Sequence, residues 1–203
     1  TVIINEILAD PASGTAGDAN GDGIRSSSQD EFVELANVSS DPVELTGWKL
    51  GDDEAVNFTF PDGYMMAPRS FLVVFGGGDV TGVDGYDADP LVTRVFSADS
   101  TVGNGLANGG EIILLHSADG SYDTWLAYGS KAATGGPPNA DNYQIQIDVG
   151  AAANADNSIT RFPDGNVNIL DPFVQHLTVA NAAFSPNTTI DGRSAVPPPQ
   201  PQV

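Results

Sequence analysis

Apolar residues in this chain come in short runs or alternate with polar residues, without the three-to-four-residue spacing of an amphipathic helix. Turn-forming residues separate the runs, so each run is predicted to be a β-strand. The predicted strands are residues 2–8, 31–37, 43–50, 56–60, 71–75, 92–96, 111–116, 123–128, 143–149 and 158–162. The run 71–75 is apolar throughout, and 111–115 is nearly so, which is typical of strands covered on both faces. The pattern therefore predicts an all-β protein.

Glycine, proline and aspartate mark the connections between these runs. Residues 117–120 predict a hairpin turn, because their Asp-Gly pair tolerates positive φ. Strands at this spacing favour an antiparallel β-sandwich with long Gly/Asp-rich loops. Residues 76–89, 130–142 and 194–203 are expected to be less ordered, and the prolines of the last predict an extended C-terminal arm. We predict one sandwich domain over residues 1–193 and a Pro-rich tail or linker over 194–203.

The charge of the chain is strongly one-sided. The 27 acidic residues outnumber the 7 basic residues, and the formal net charge is −20 at pH 7. Nucleic acid and anionic membrane surfaces are therefore poor partners, because the long-range field repels them. Divalent cations are favoured, although such acidity also serves solubility alone or life in a salty habitat.

Cysteine is absent, which excludes a disulfide scaffold, thiol catalysis and thiolate metal sites. This absence is compatible with an exported bacterial protein that uses calcium where others use disulfides. No stretch of sequence reaches the apolar length of a transmembrane helix, so membrane insertion is not predicted.

Several motifs occur in the order found in lamin-tail domains. They are Ile3-Ile4-Asn5-Glu6-Ile7, Asp30-Glu31-Phe32-Val33-Glu34-Leu35-Ala36-Asn37, Leu45-Thr46-Gly47-Trp48-Lys49-Leu50, Phe58-Thr59-Phe60, Phe71-Leu72-Val73-Val74-Phe75 and Leu106-Ala107-Asn108-Gly109-Gly110-Glu111-Ile112-Ile113-Leu114-Leu115, followed by a turn and Trp125. Each motif alone is modest, but six in one order are a strong signal. The chain therefore resembles the lamin-tail domain family, closely over residues 2–128 and more weakly as far as residue 162.

This resemblance implies an immunoglobulin-like β-sandwich, found in nuclear lamins and in many exported bacterial proteins. Members of the family resemble binding and structural modules more than enzymes. The Asp-rich insertion between the first two strands is similar to the bacterial branch, so a nuclear scaffold role is not implied. The indole of Trp48 is expected to cap one end of the sandwich. Asn5 and Asn37 are expected to bond to backbone at strand ends.

That insertion has the oxygen spacing of a calcium loop. Asp18, Asn20 and Asp22 occupy positions one, three and five of the helix–loop–helix calcium motif. Gly23 falls at position six, where the chain turns sharply, and Ile24 at position seven would offer its backbone carbonyl. Because Ca²⁺ takes about six to eight oxygen ligands, these residues are predicted to bind one Ca²⁺ ion.

Position twelve departs from that motif, because Gln29 replaces the bidentate glutamate. Asp30 and Glu31 follow immediately and Asp10 precedes the loop, so these carboxylates are expected to complete the site. The predicted metal ligands are Asp10, Asp18, Asn20, Asp22, Ile24, Asp30 and Glu31. The alternative is an Asp- and Gly-rich turn that binds nothing. A second cation site within residues 79–89 stays open, since the spacing there fits no fixed template.

Catalytic motifs such as His-Glu-x-x-His and Gly-x-Ser-x-Gly do not occur in the sequence. We therefore predict a non-enzymatic, calcium-stabilised interaction module of an exported bacterial protein, at the cell surface or in an extracellular filament. Its N-terminal strand or its Pro-rich tail would pair with another protein subunit. One alternative is an accessory domain of a secreted hydrolase. Another is a module for adhesion or for binding glycans, with a sugar platform from Tyr64, Tyr86, Tyr122 and Tyr143.

Overall fold

The described part of the chain contains thirteen β-strands and three short 3₁₀ helices, joined by turns and loops. The computed structural model describes residues 1–120, 123–134, 145–146, 156–165 and 173–193. The strands are β1 (Val2–Leu8), β2 (Phe32–Asn37), β3 (Val43–Glu44), β4 (Lys49–Asp52), β5 (Phe58–Thr59), β6 (Met65–Met66), β7 (Phe71–Phe75), β8 (Val95–Ser97), β9 (Ile112–His116), β10 (Asp123–Ala127), β11 (Ile145–Gln146), β12 (Ile159–Arg161) and β13 (Phe173–Gln175). The 3₁₀ helices are Gly14–Gly17, Gly129–Thr134 and His176–Thr178.

Two sheets form the layers of a sandwich. The first sheet has the strand order β13-β12-β1-β2-β7-β8, and the second has the order β11-β10-β9-β4-β5. The short strands β3 and β6 pair separately. Neighbouring strands are antiparallel, except that β7 and β8 are parallel, as are β10 and β11. The predicted all-β sandwich is confirmed.

The main core lies between these sheets. It is built from buried aliphatic and aromatic side chains, which in most strands alternate with residues that face outward. Full burial of such a side chain contributes about 1.5–3 kcal/mol. The contributors from β2, β7, β4 and β9 include Val33, Leu35, Leu72, Val74, Leu50, Ile113 and Leu115.

Strand β7 is buried on both faces, as its unbroken apolar run predicts. Leu72 and Val74 face the main core. On the other face, Val73 and Phe75 join a second cluster with Phe32, against which Val83 and Phe184 pack. Loops thus cover the outer face of the first sheet.

A bulge in β1 brings two polar residues to that outer face. The pairing of β1 with β2 shifts between Ile4 and Glu6. Ile4 and Ile7 both face the main core, so the in–out alternation changes phase at Asn5. Asn5 and Glu6 are fully buried, and Asn5 Nδ2 donates to a carboxylate oxygen of Glu34, its neighbour on β2, at 2.9 Å. The bulge therefore creates a buried polar cluster on the outer face.

The predicted strand 43–50 is wrong, because it is two strands, β3 and β4. A turn separates them: the Trp48 N–H donates to the Leu45 carbonyl at 3.0 Å, and Gly47 has a φ of +67°. The predicted hairpin turn at residues 117–120 is confirmed by an N–H of Gly120 that donates to the Ser117 carbonyl at 3.2 Å.

Other predicted strands are shorter than expected or lie partly outside the described residues. The predicted strand 92–96 begins only at Val95, because the N–H groups of Val92 and Thr93 turn back to the Asp89 carbonyl. The run 56–60 is a strand only at Phe58–Thr59. Of the predicted strand 143–149, residues 145–146 are described and form β11. The short strands β6 and β13 were not predicted.

Residues 76–89 were predicted to be less ordered, and this is wrong. Val80 is buried against the outer face of the first sheet. Successive turns follow, in which the Val83 N–H donates to Val80 and the Tyr86 N–H donates to Val83. The predicted arm at 194–203 and most of 130–142 lie outside the described residues, so the domain boundary at residue 193 stays a prediction.

Replacing Gly51 with alanine tests the close approach of β4 to the turn that follows it. A Cβ at Gly51 would lie 2.2 Å from the Ala55 carbonyl oxygen, which accepts the Asp52 N–H at 2.9 Å. Because the clash involves backbone, Gly51→Ala should lower the free energy of unfolding by about 1–3 kcal/mol, as measured by urea unfolding. The control is Gly109→Ala, whose Cβ meets no atom within 4 Å; it should change stability by less than about 0.5 kcal/mol. Equal stabilities of the two variants would contradict this packing.

Candidate functional site

The acidic turn predicted to bind calcium lies in the connection between β1 and β2. Three side chains curl back onto the backbone of the turn. Asp18 Oδ2 accepts the Gly23 N–H at 2.9 Å, and Asp22 Oδ1 accepts the Ile24 N–H at 2.7 Å. Asn20 Oδ1 accepts from the N–H of Asp22 at 3.1 Å. The structure thus brings Asp18, Asn20 and Asp22 together in one tight turn.

One oxygen in this turn stands out. Asp18 Oδ1 is buried and has no hydrogen-bond donor among the described residues. A buried acceptor without a partner is costly, by about 1–3 kcal/mol or more for a charged group. A cation bound beside Asp18 would satisfy it.

Asp30 closes the turn from its far end. This carboxylate is fully buried. Its Oδ1 accepts the N–H groups of Ala19 and Asn20 at 2.8 and 3.1 Å, and its Oδ2 accepts the Ser26 N–H at 2.6 Å. Asp30 therefore holds both ends of the turn through its backbone.

Asp10 and Glu31 bond to a different loop, the one between β8 and β9. Glu31 Oε2 accepts the Leu106 N–H at 2.9 Å, and Asp10 Oδ1 accepts from Asn108 Nδ2 at 2.7 Å. Burial raises the pKa of Glu31 to about 8, against the opposing effect of the Leu106 hydrogen bond. These two carboxylates thus tie the β1–β2 connection to that loop.

A calcium ion at this turn would need further ligands in addition to the carboxylates of Asp18 and Asp22. The described residues contain no group of three or more histidine, aspartate or glutamate side chains placed to hold a metal. The amide oxygen of Asn20 and the carbonyl of Ile24 are the candidates, and the Ile24 residue is 68% exposed. The predicted ligand set stays a prediction.

The acidic turn also contacts the loop after β7. Asn20 Nδ2 donates to the Gly77 carbonyl at 3.1 Å, and the Asp79 N–H donates to Asp22 Oδ2 at 3.2 Å. Gly78 lies so close that a Cβ there would come within 2.2 Å of the Asn20 side chain. The acidic turn and residues 77–79 are therefore packed directly against each other.

The acidic residues at 79–89 form local turns. Asp79 accepts the Thr81 N–H at 3.0 Å, and Asp89 accepts the Leu91 N–H at 2.9 Å. Asp87 accepts from Asp89 in the same way. Such aspartate turns explain the composition of this loop without a ligand.

A cleft of about 330 Å³ lies at one end of the sandwich, beside Trp48. Trp48 is partly buried and packs against the main core, in agreement with the predicted end cap. Two hydroxyl–carboxylate pairs line the cleft: Thr46 donates to Glu44, and Ser117 donates to Asp119, each at 2.8 Å. The cleft therefore combines an aromatic ring with polar groups of the kind that recognise hydroxyls.

The predicted tyrosine platform does not form around Tyr64. This residue is buried, and its hydroxyl donates to the Thr93 carbonyl at 2.8 Å. Tyr86 is 37% exposed, while Tyr122 and Tyr143 lie outside the described residues.

The largest group of functional side chains missed by the sequence analysis is on the outer face of the first sheet. Glu6, Glu34 and Asp164 are buried there with His176. Asn5 bonds to backbone as expected, since its Oδ1 accepts the Gly165 N–H at 2.8 Å, but it lies inside β1 and not at a strand end. Its Nδ2 also donates to Glu34 and Asp164 at 2.9 and 3.3 Å. The signal in the sequence was two glutamates, Glu6 and Glu34, each inside a predicted strand that is otherwise largely apolar.

The prediction for Asn37 is confirmed. Its Nδ2 donates to the carbonyls of Asp41 and Ala67, each at 2.9 Å, and its Oδ1 accepts the Ser39 N–H at 3.0 Å. Asn37 thus fixes the end of β2 to the turn that follows it.

A two-layer sandwich of this kind defines an immunoglobulin-like domain. A family model described as Lamin Tail Domain matches residues 1–130. The chain belongs to the lamin tail domain family. Because this is a family of structural, immunoglobulin-like domains, the chain is a structural or interaction module. A comparison with curated proteins found no match. None of the helices in the described ranges is long and apolar enough to cross a membrane.

Proposed function

We propose that this chain is a non-enzymatic, calcium-stabilised interaction module of an exported bacterial protein, acting as a subunit of a surface or extracellular filament. The observation that carries the calcium part is Asp18 Oδ1, a buried carboxylate oxygen without a hydrogen-bond donor in the described structure. It sits in a turn that also holds the oxygens of Asn20 and Asp22. These are the hard oxygen ligands that Ca²⁺ prefers.

Calcium at this turn would stabilise more than the turn itself. Asn20 and Asp22 contact the loop after β7 through Gly77 and Asp79. A divalent cation would also offset part of the repulsion within a chain of net charge −20. Metal binding would therefore couple to the order of two neighbouring loops.

The interaction role is supported by exposed apolar side chains near one end of the sandwich. Leu91 and Val92 are 46% and 60% exposed, and Leu91 lies next to Gly63. The N-terminal strand is a less direct route to assembly, because β1 pairs with both β12 and β2. An incoming subunit would have to displace β12 to pair with it.

A thermal melt with Ca²⁺ or with a chelator tests the metal. Saturating calcium at about 100 times its Kd should add about 2.7 kcal/mol of stability. For a chain of this size that corresponds to a rise in Tm of about 5–10 °C. Asp18→Asn should lose most of this shift, because it removes the charge of the orphaned carboxylate while keeping an acceptor for Gly23.

The control is Asp62→Asn, which removes the charge of an exposed aspartate outside the acidic turn. This variant should respond to calcium as the wild type does. The same samples on a sizing column test assembly, and oligomers in calcium are expected. A Tm that does not change with calcium would contradict the proposed calcium site. A protein that stays monomeric with calcium bound would contradict the filament role.

Carbohydrate binding is a second candidate, and the cleft beside Trp48 favours it. An aromatic ring flanked by Glu44 and Asp119 could stack on a sugar while the carboxylates accept its hydroxyls. A glycan array probed in calcium should then show ligands that Glu44→Gln and Asp119→Asn weaken. Silence across the array, or binding that both variants leave intact, would contradict this candidate.

A further inference from the structure

The segment from 176 to 193, called the strap here, crosses the outer face of the first sheet. Three of its backbone N–H groups donate to three buried carboxylates. Ser185 donates to Glu6 Oε1 at 3.0 Å and Asn187 donates to Glu34 Oε2 at 2.6 Å. Ile190 donates to Asp164 Oδ2 at 3.0 Å. The strap lies beyond the residues matched by the family model, which ends at 130.

A chain of side-chain hydrogen bonds joins the strap to β1. Ser185 Oγ lies 2.8 Å from Glu6 Oε2 and 2.8 Å from His176 Nε2. His176 Nδ1 lies 2.8 Å from the Ala182 carbonyl. Glu6 and His176 are fully buried, and Ser185 is 9% exposed. Water therefore has little access to this chain.

The geometry fixes how many protons the hydrogen-bond chain Glu6–Ser185–His176 must hold. A carbonyl oxygen only accepts, so His176 Nδ1 carries a proton. If Nε2 is bare, Ser185 must donate to it and must accept a proton from a protonated Glu6. If Nε2 is protonated, Ser185 accepts from it and donates to an ionised Glu6. In both cases the Glu6–His176 pair holds one proton beyond that on Nδ1.

Loss of that proton breaks the hydrogen-bond chain. Ser185 has a single O–H, which then faces two acceptors, Glu6 Oε2 and His176 Nε2, and satisfies only one. The other is left buried without a donor from Ser185, which costs about 1–3 kcal/mol and more for a charged group. The negative charge of Glu6 would also face Glu34, its direct partner across the strands.

Other charged side chains surround the Glu6–Ser185–His176 hydrogen-bond chain. Glu34 and Asp164 share Asn5 Nδ2 as a donor. Arg161 on β12 donates Nε to the Ile4 carbonyl at 2.7 Å, and its guanidinium carbon lies 4.8 Å from the centroid of the Phe173 ring. Three carboxylates thus meet one histidine and one arginine, and the arginine is engaged with β1 backbone and an aromatic face.

The direction of the pKa shifts agrees with this geometry. Burial raises the pKa of Glu6, although His176 and the hydroxyls of Ser158 and Ser185 oppose the rise. Burial and the charge of Glu6 hold the pKa of Glu34 well above its usual range. Burial also raises the pKa of Asp164. The folded state therefore binds these protons more tightly than the unfolded state, and its stability falls as pH rises from the ordinary carboxyl range.

We infer that the strap is a proton-dependent latch. It is held against β1 and β2 while the Glu6–Ser185–His176 chain carries its shared proton, and it detaches when rising pH removes that proton. Detachment uncovers Phe32, which Phe184 of the strap contacts at a ring-centroid distance of 6.3 Å.

Amide hydrogen exchange by NMR on the full chain tests the latch. Protection factors, which remove the intrinsic pH dependence of exchange, are compared at about pH 5 and about pH 9 for the strap amides and for β9, because the fall in stability begins at the ordinary carboxyl pKa. The amides of Ser185, Asn187 and Ile190 should lose at least about tenfold in protection, since release of one proton changes an equilibrium tenfold per pH unit. The amides of β9 should change far less.

Glu6→Gln is the decisive variant. Its side-chain amide can donate to Ser185 Oγ as a protonated Glu6 would, so the chain stays complete without a removable proton. The strap of this variant should keep its protection at about pH 9. Asp191→Asn, at an exposed position in the strap, should lose protection as the wild type does.

Ser185→Ala keeps the test decisive if Glu6→Gln does not fold. It cuts the chain, so its strap should be weakly protected at both pH values without a step between them. The latch is overturned if wild-type protection of the strap does not fall. It is also overturned if the fall persists in Glu6→Gln or Ser185→Ala, or if β9 loses protection in parallel with the strap.

Discussion

Carboxylates that accept backbone N–H groups hold the loops of this protein to its two sheets. Asp30 closes the acidic turn in this way, and Asp52 accepts the N–H groups of Glu54, Ala55 and Asn104 at 2.6–2.8 Å. Loop backbone that is buried must find acceptors, and charge-assisted bonds are stronger than neutral ones. Seven of the 27 acidic residues are buried in the described part of the chain, and several of them order connections that a sandwich leaves irregular.

This constraint is the physical reason that a bound cation would stabilise the fold. A buried carboxylate must be neutralised by a proton, a metal or a nearby positive group, or be stabilised by enough donors. The strap meets this need with N–H groups and a shared proton at Glu6. At the acidic turn, Asp18 keeps one oxygen without a donor in the described structure, which is where the proposed calcium ion would act. The shared proton at Glu6 and the proposed calcium ion at Asp18 would thus act on the same kind of group, a buried carboxylate.

The elements predicted correctly from the sequence are those whose own residues form a continuous apolar run. Strands β7 and β9 are unbroken apolar runs and were placed correctly, whereas Gly47 splits the predicted strand 43–50 by a turn that alternation does not reveal. The polar cluster at Glu6 could not be predicted, because the bulge changes the phase of β1 and Ser185 is 179 residues away in the chain. For the acidic turn, the three alternating oxygens were predictable from local spacing. The tertiary bonds that draw Asp10 and Glu31 toward residues 106–108 were not.

The most direct measurement of the central claim is amide exchange in the loops, with calcium removed by a chelator. Amides that donate to buried carboxylates should exchange at least about tenfold more slowly than the average of the other amides in their own loops. The diagnostic amides are those of Ala19, Asn20, Ser26, Asn104 and Leu106. Exchange of these amides at the same rate as the rest of their loops would contradict the view that internal carboxylates hold the loops in place.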